Sequence, residues 1–423
     1  MRVKLLIAIG IAFILISALI PNVRADTEIM VPEKTETNIL PIIFGNLSLS
    51  DRYEAPKAMC VSNDGTIFVV SLNPWWQNVR GLSPASFVAW NPNGSVRWAQ
   101  RFSTFDRVLL GVEVDNSHVF VTGGISHSLY LAKYDFQGNN IWNVTKSIGN
   151  ISYGVELGFK MSLLDDGTII VGVVSENYSK PHHYDYFLAA FNQEGDIQWS
   201  EIIEDYMSHC CDSNFIYIGT NNTLQKRDSR GSILWTKQAY GCRPGLASND
   251  RLYSIVNSGT ILCTSLNIKT LNKVTGEKIW SSNFRICNND HQVYNSSGRD
   301  CVLTQDGSLM VLTHAIEVST WYLETINQDG VLISHTNLLN NTWGHSQLNL
   351  GVDGNLIYVA SYNHNYGLLL AAFNSSQLCP FYQATTDEVL TNPFLSDVQL
   401  IGIVTIGVIG FDVAFIIFLR KEY

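Results

Sequence analysis

Short apolar runs alternate with tight polar turns along most of this chain, and the pattern repeats. Seven apolar runs follow turns rich in Asp, Asn and Gly, as at residues 63–65 before 66–70 and at residues 165–167 before 168–171. Asp-Gly between apolar runs is typical of a hairpin, because glycine accepts the positive φ angle that such turns need. No stretch between residues 41 and 390 shows a sustained helical period. The pattern therefore predicts an all-β region built from repeated hairpins.

A second signature, a glycine followed four residues later by a tryptophan, marks five successive repeats. These tryptophans are Trp98, Trp142, Trp199, Trp235 and Trp280. Two degenerate copies end at Ser334 and Phe381, and the mean period is about 47 residues. Because half of the ten tryptophans occupy this one position, we predict a structural role for them, as large apolar side chains packed between repeats.

Each repeat is predicted to contain four strands. In the third repeat they span residues 159–164, 168–174, 186–191 and 197–203. Four short strands in 40 to 50 residues are typical of a propeller blade, which stacks on its neighbours because it cannot bury both faces alone. We predict a β-propeller over residues 41–382 with seven four-stranded blades, eight being the alternative. Residues 38–46 are a candidate extra strand for the last blade.

The repeats resemble those of quinoprotein-type (PQQ-like) propellers, whose motif is A-x-D-x-x-T-G-x-x-x-W. The stretch T-G-E-K-I-W at residues 275–280 carries the match, and Ala132 and Ala189 correspond to the first Ala. The Asp of the motif is replaced by Trp90, Tyr134, Phe191, Arg227 and Asn272. The resemblance covers about 320 residues. It implies the propeller fold and says little about a cofactor.

The two ends of the chain predict a membrane protein with an exported propeller. Residues 1–25 have the three parts of a secretory signal with cleavage after Ala25, an uncleaved anchor being the alternative. Residues 398–419 are nearly all apolar and long enough for a transmembrane helix, and the basic tail at 420–423 should stay cytoplasmic. Residues 26–40 and 383–397 are predicted as linker and stalk. The predicted localisation is the cell membrane, single-pass, with the propeller on the extracytoplasmic side.

Asp412 lies inside the predicted membrane helix, where a carboxyl group is costly unless it is neutral, paired or turned toward another helix. Gly410 and Ala414 form a small-xxx-small step that permits close helix approach. Two interpretations stay open: a neutral Asp in a single helix, and a homo-oligomer formed through the helix.

Charge narrows the classes of partner. The chain carries 27 Lys+Arg against 37 Asp+Glu, and without the two ends its net charge is near −13. It has no run of basic residues, so nucleic acid is not expected as a partner. A basic partner or bound cations fit the acidic balance better.

Cysteines and glycosylation sequons agree with export. All eight cysteines lie between the two ends, and an even number in an oxidising compartment predicts disulfides, with Cys287–Cys301 as the first candidate. The chain also contains nine N-x-S/T sequons, which predicts a glycoprotein.

Aromatic and histidine residues concentrate in the connections between the second and third strands, which by strand order share one face, the long-loop face. The candidate binding residues there are Trp75, Trp76, Tyr178, His182, His183, Tyr184, Tyr362, His364 and Tyr366. Such side chains supply large contact areas with polar tips, so we expect them to bind a protein or a glycan. In the alternative interpretation Trp75 and Trp76 fold back as loop packing.

Chemically suggestive motifs are few, and we predict no catalytic, cofactor-binding or metal-binding residues. Cys210-Cys211-Asp212 resembles the vicinal pair beside the cofactor of quinoprotein dehydrogenases, although ordinary disulfides explain it as well. The Asp-Gly turns lack calcium-loop spacing. The sequence thus favours a non-catalytic binding or scaffold module without a cofactor. The alternative is an extracytoplasmic enzyme, a quinone-dependent oxidoreductase or a glycan-acting hydrolase, that uses the propeller channel.

Overall fold

A computed structural model of the chain describes only part of its length. The described residues are 28–31, 43–47, 55–72, 85–102, 107–125, 128–147, 159–176, 184–239, 244–248, 250–260, 263–286, 296–315, 320–339, 349–353, 356–363 and 367–374. All of them belong to the unit Met1–Pro380. The predicted signal, stalk and membrane helix lie outside them. Within the described ranges, no helix has the length and apolar character needed to cross a membrane.

The described strands form seven sheets. Two N-terminal strands, β1 (Glu28–Val31) and β2 (Ile43–Leu47), precede them. Sheet 1 contains β3 (Ala55–Val61), β4 (Ile67–Leu72), β5 (Ala85–Trp90) and β6 (Val96–Phe102). Sheet 2 contains β7 (Arg107–Val114), β8 (His118–Ile125), β9 (Ser128–Asp135) and β10 (Asn140–Lys146). Sheet 3 contains β11 (Phe159–Leu163), β12 (Ile169–Glu176), β13 (Tyr184–Phe191) and β14 (Ile197–Ile202).

The remaining sheets repeat this order. Sheet 4 contains β15 (Tyr206–Cys211), β16 (Phe215–Thr220), β17 (Thr223–Asp228) and β18 (Ile233–Gln238). Sheet 5 contains β19 (Pro244–Ala247), β20 (Arg251–Thr260), β21 (Cys263–Asn272) and β22 (Lys278–Ile286). Sheet 6 contains β23 (Ser296–Leu303), β24 (Leu309–Ala315), β25 (Thr320–Ile326) and β26 (Leu332–Leu339). Sheet 7 contains β27 (Asn349–Asp353), β28 (Leu356–Asn363) and β29 (Gly367–Asn374).

The sheets follow one another around a common centre. The first strand of each contacts the first strand of the next, from β3 against β7 through to β23 against β27, and β27 contacts β3 in turn. The described sheets therefore close into a ring with their first strands innermost. This arrangement confirms the predicted all-β propeller. Because successive strands in a sheet are antiparallel, the first and third turns of every sheet lie on one face, the tight-turn face.

The second and third strands hold the core. Every residue of β4 and β5 is buried, because a sheet inside the ring is covered on both sides by its neighbours. Burial on both sides accounts for apolar runs that are continuous rather than alternating. The fourth strands alternate between half-buried and exposed residues, as in β6 and β10, which places them at the outside of the ring.

N-terminal strands complete two of the sheets. β2 pairs antiparallel with β29, from Ile43 opposite Ala372 to Leu47 opposite Leu368, and supplies the outer strand of sheet 7. The candidate extra strand within residues 38–46 is therefore present. β1 lies within the predicted linker and adds a fifth, parallel strand to the outer edge of β22.

The Gly–Trp signature is a contact between neighbouring sheets. Four tryptophans donate an indole N–H to a carbonyl in the third turn of the next sheet: Trp98 to Phe136 (2.8 Å), Trp142 to Gln193 (2.9 Å), Trp199 to Ser229 (2.8 Å) and Trp280 to Gln328 (2.9 Å). Each ring also lies on the glycine of that turn. A Cβ atom on Gly195 would stand 2.9 Å from the Trp142 ring, and Gly195 has φ +82°. Glycine is thus required for both its backbone angle and its lack of a side chain.

Trp235 makes the same contact with Gly276 but without the hydrogen bond. Its ring lies where a Cβ on Gly276 would be 3.1 Å away, yet its indole N–H has no partner among the described residues. The receiving turn is one residue longer than the others, since Asn272 N–H bonds to Glu277 O. The extra residue explains why no carbonyl meets this indole.

A one-residue bulge precedes the tryptophan position in the fourth strand of sheets 1–6. The unpaired residues are Arg97, Ile141, Gln198, Leu234, Ile279 and Ile333. A bulge re-aims the following side chain and breaks the regular row of backbone groups on an outer strand. The bulge therefore helps direct the tryptophan side chain toward the next sheet, and it makes the outer strand less able to pair with a further strand.

Sheet 6 departs from the tryptophan series. Ser334 stands at the tryptophan position and donates its hydroxyl to Thr325 Oγ1 at 2.9 Å. Beside it, His335 Nδ1 lies 2.8 Å from Glu324 Oε2, and both side chains are almost wholly buried. A buried polar pair thus lies beside the position at which sheet 6 has no tryptophan of its own.

The indole hydrogen bond can be tested with two matched substitutions. We expect Trp142→Phe to lower the free energy of unfolding by about 1 kcal/mol more than Trp235→Phe, because only Trp142 loses a hydrogen bond while both lose the same ring volume. Denaturant unfolding of both variants and the parent measures this difference. Equal losses would contradict a stabilising role for the hydrogen bond.

Candidate functional site

A cavity of about 950 Å³ occupies the central channel on the tight-turn side. Its walls come from the first strands of sheets 1–5, and its rim comes from the first turns of sheets 1–3 together with Gln193. Glu113, Lys160, Ser162, Cys210 and Cys211 line the walls, and Asp115, Asp165 and Asp166 lie at the rim. The cavity therefore combines one ammonium group with several carboxylates and two thiols.

Lys160 connects three sheets across the channel. Its ammonium lies 3.4 Å from the hydroxyl oxygen of Ser208 on β15 and 3.5 Å from the Pro244 carbonyl oxygen on β19. Ser208 in turn donates to the same Pro244 oxygen at 3.1 Å. These contacts position the charge of Lys160 without burying it fully.

The aspartates of the first turns form hydrogen bonds within those same turns. Asp64 Oδ1 accepts the Thr66 N–H at 3.0 Å, and Asp166 and Asp306 make the same bond to the residue two positions on. Burial raises the pKa of Asp64, but hydrogen bonds from Ser62 and Thr66 outweigh it and leave that pKa below the usual range. The repeated Asp is therefore explained by local turn chemistry.

Cys210 and Cys211 lie next to each other in β15 but pack on opposite sides of sheet 4. Cys210 belongs to a cluster with Tyr217 and Leu224, whereas Cys211 packs with Leu164. Burial, reinforced by Cys210, raises the pKa of the Cys211 thiol well above its usual value. A protonated thiol is a weak nucleophile and a weak metal ligand.

Asp212 has a structural partner. Its carboxylate accepts a hydrogen bond from Lys273 at 2.8 Å and one from Tyr217 at 3.0 Å. The lysine belongs to the third turn of sheet 5, so the ion pair joins two sheets. Asp212 is thereby committed to an inter-sheet contact, unlike a carboxylate that faces a cofactor.

His209 is a buried, neutral base beside this channel. Its Nδ1 lies 2.6 Å from the Tyr206 hydroxyl, and its Nε2 has no hydrogen-bond partner in the described part of the chain. Burial, with the nearby charge of Lys160, lowers its pKa to about 3. Gly172 faces this pair, where a Cβ would stand 2.3 Å from the Tyr206 oxygen.

Disulfides and metal clusters do not occur among the side chains that the structure describes. No disulfide joins any two of Cys60, Cys210, Cys211 and Cys301, and Cys287, the predicted partner of Cys301, lies outside the described residues. Over the same ranges, no group of three or more His, Cys, Asp or Glu side chains is arranged to hold a metal ion.

Most predicted binding residues fall outside the described ranges. Trp75, Trp76, Tyr178, His182, His183, His364 and Tyr366 are among these. The backbone of Tyr184 opens β13 opposite Glu176, and Tyr362 pairs with Leu368. Both positions lie at the long-loop end of their sheets.

Sequence reasoning missed Lys160, Ser208 and His209. All three are polar residues in short first strands: Lys160 lies between Phe159 and Met161, and Ser208 and His209 are adjacent to each other. One or two polar residues inside a short, otherwise apolar run were the available signal. Without knowledge of which strand is innermost, that signal does not distinguish a channel residue from an exposed one.

One comparison with a solved structure supports the fold. The chain is similar to the WD40 domain of Neurospora crassa Pan2, with 13% identity over 79% of this chain and 94% of that one, at a TM-score of 0.50. Kluyveromyces lactis Hsv2 is 11% identical over 76% and 98%, at a TM-score of 0.47. A Bacteroides caccae protein of unknown function is 12% identical over 60% and 89%, at a TM-score of 0.38.

Sequence comparisons find no relative. No protein-family model matches the chain, and no curated protein matches it. The quinoprotein-type resemblance thus remains an interpretation of the repeats.

Burial of His209 predicts a pH-dependent stability. In the unfolded chain histidine binds a proton below a pH of about 6.5, whereas the folded chain keeps His209 neutral down to about pH 3. The contribution of neutral His209 to the free energy of unfolding is fully present above pH 6.5, and it falls by about 1.4 kcal/mol per pH unit below that pH.

We expect His209→Gln to lack this dependence. The free energy of unfolding should be measured for parent and variant at pH 7 and at pH 5. The stability advantage of the parent over the variant should be about 2 kcal/mol smaller at pH 5 than at pH 7. Parallel pH profiles for the two proteins would contradict a neutral, buried His209.

Proposed function

We propose that this chain is a membrane-anchored, extracytoplasmic β-propeller that binds a protein or a glycan without catalysing a reaction. In this proposal the ring has seven blades, the signal segment is cleaved after Ala25, and residues 398–419 hold the protein in the membrane. The exported part is glycosylated and contains disulfides outside the described cysteines. The binding surface is the long-loop face.

The observation that carries a binding rather than a catalytic role is the state of the reactive groups beside the channel. Cys211 is protonated by burial, and His209 is neutral and paired with Tyr206. Catalytic nucleophiles and bases need pKa values tuned toward the working pH, and these two are shifted away from it. Asp212 is likewise occupied by Lys273.

Tryptophan docking supports a scaffold role. Five successive sheets each hold the next by an aromatic contact on a glycine turn, so the loops of the opposite face are anchored on a rigid base. Variable loops on such a base are where binding residues accumulate in proteins generally. Trp75, Trp76 and Tyr362 are proposed as contact residues on that face.

A quinone-dependent oxidoreductase or a glycan hydrolase is the second candidate. It rests on the open cavity and on the resemblance of residues 210–212 to a quinoprotein pair. Absorption spectra of the purified full chain with added quinone and calcium test it. A saturable new band, lost in Cys211→Ala, would favour this candidate over a binding module.

Binding by the long-loop face can be tested in intact cells. We expect a membrane-impermeant cross-linker to capture proteins or glycans on the parent chain. The Trp75→Ala/Trp76→Ala double variant should yield at least about fivefold less of the same cross-linked adducts, because anchor residues supply most of the affinity at an interface. Quantitative mass spectrometry of the purified adducts measures this loss.

Ile141→Ala is the matched control. Ile141 is a half-exposed apolar residue on the outer strand β10, away from the long-loop face, so its removal should leave the adducts unchanged. Retention of all adducts by the double variant, with an unchanged melting temperature, would contradict the proposed surface.

A further inference from the structure

The cavity on the tight-turn side contains a cation without a carboxylate partner. The Lys160 ammonium contacts two neutral oxygens, the Ser208 hydroxyl at 3.4 Å and the Pro244 carbonyl at 3.5 Å. Over the described part of the chain, no carboxylate lies within ion-pair distance of this nitrogen. Lysine has three N–H donors, and both contacts are long for a hydrogen bond. The ammonium group can therefore bind an anionic group that enters the cavity.

The mouth of the same cavity is acidic. Asp115, Asp165 and Asp166 lie at its rim. Asp115 and Asp166 accept N–H groups of their own turns, from Ser117 at 2.8 Å and from Thr168 at 2.9 Å. Asp165 is exposed, and its carboxylate accepts no hydrogen bond from any residue that the structure describes. Asp165 is therefore the rim carboxylate that is most available to a cation.

The two charges lie at opposite ends of the cavity. Lys160 is the second residue of β11, and Pro244 is the first residue of β19, so the ammonium lies near the strand ends that are remote from the tight turns. Asp165 follows β11 in the first turn of sheet 3. Five residues of extended chain span about 16 Å. The volume of about 950 Å³ is that of a small-ligand site.

This distribution of charge disfavours the simplest ligands. A small anion meets three carboxylates at the mouth, and a small cation meets the ammonium at the far end. A molecule with an ammonium group at one end and a carboxylate at the other matches both ends. The side chains of Lys160 and Asp165 shorten the span between their charges to about 10 Å, which three or four residues of extended peptide cover.

We propose that the channel cavity binds a short peptide with free ends, whose terminal carboxylate pairs with Lys160 and whose terminal ammonium group lies against Asp165. Ser162 and Asn116 also line the cavity and offer polar groups to the peptide backbone. The site lies on the tight-turn side, opposite to the long-loop face. It therefore goes beyond the proposed function and involves neither Trp75 nor Trp76.

Oligoglycines are the probe, because they carry both charged ends and no side chains. Titration calorimetry on the full chain in detergent micelles measures their dissociation constants. We expect triglycine or tetraglycine to bind at least about tenfold more tightly than glycine, since only the longer molecules reach both charges. Triglycine amide lacks the carboxylate and N-acetyl-triglycine lacks the ammonium, so each should bind at least about tenfold more weakly than triglycine. Tightest binding by glycine, or equal binding of triglycine and either blocked form, would overturn the proposal.

Lys160→Met tests the carboxylate end, because it removes the charge and keeps most of the side chain. Triglycine should bind this variant at least about tenfold more weakly, whereas triglycine amide should bind it as it binds the parent. Lys278→Met is the matched control, since Lys278 lies on the outer strand β22 with its ammonium 3.4 Å from the Ser281 hydroxyl. Equal losses for triglycine and its amide would show that Lys160 only shapes the cavity, and would overturn the pairing.

Asp165→Asn tests the ammonium end and covers the case in which Lys160→Met does not fold. Triglycine should bind this variant at least about fivefold more weakly, with binding of N-acetyl-triglycine unchanged. Asp329→Asn, at an exposed aspartate in the third turn of sheet 6, is the control and should bind like the parent. Unchanged triglycine binding by Asp165→Asn would overturn the proposed site. Because these readouts do not involve the long-loop face, the cavity site can fail while that face still binds, and the reverse.

Discussion

The docking of a tryptophan from one sheet onto a glycine turn of the next is the interaction on which this ring depends. The glycine must have a positive φ angle for the turn and no side chain for the ring, and the tryptophan must be re-aimed by the bulge before it. The glycine and the tryptophan of each contact belong to two successive repeats, so each such contact forms only when neighbouring sheets pack together. A propeller with this contact is stabilised as a ring and not blade by blade.

The series is interrupted where the chain closes on itself. Ser334 replaces the tryptophan in sheet 6, and the outer strand of sheet 7 comes from the N-terminal β2. Closure by an N-terminal strand joins two distant parts of the chain in one sheet, which opposes opening of the ring there. The same N-terminal region supplies β1, whose short parallel pairing has no comparable role in closure.

The channel shows how burial can suppress chemistry. Burial keeps the His209 imidazole neutral and the Cys211 thiol protonated, whereas Lys160 lines the cavity and is not fully buried. Their present contacts, such as Lys160 with Ser208 and Pro244, connect first strands of different sheets. The inner surface therefore acts mainly to hold neighbouring sheets together, and partner binding is proposed for the long-loop face.

The sequence alone determined the fold class, the strands and the tight turns, because turn chemistry and the burial of apolar runs are local properties. The third repeat shows this, with strands predicted at 159–164 and 197–203 and observed at Phe159–Leu163 and Ile197–Ile202. Only the tertiary structure decided that each glycine receives the tryptophan of the preceding repeat, that β1 joins sheet 5, and that Lys160 lies close to Ser208 and Pro244 of the next two sheets. Those pairings join residues far apart in sequence. Their energies depend on which strand is innermost and on which sheets are neighbours, so a local sequence pattern does not predict them.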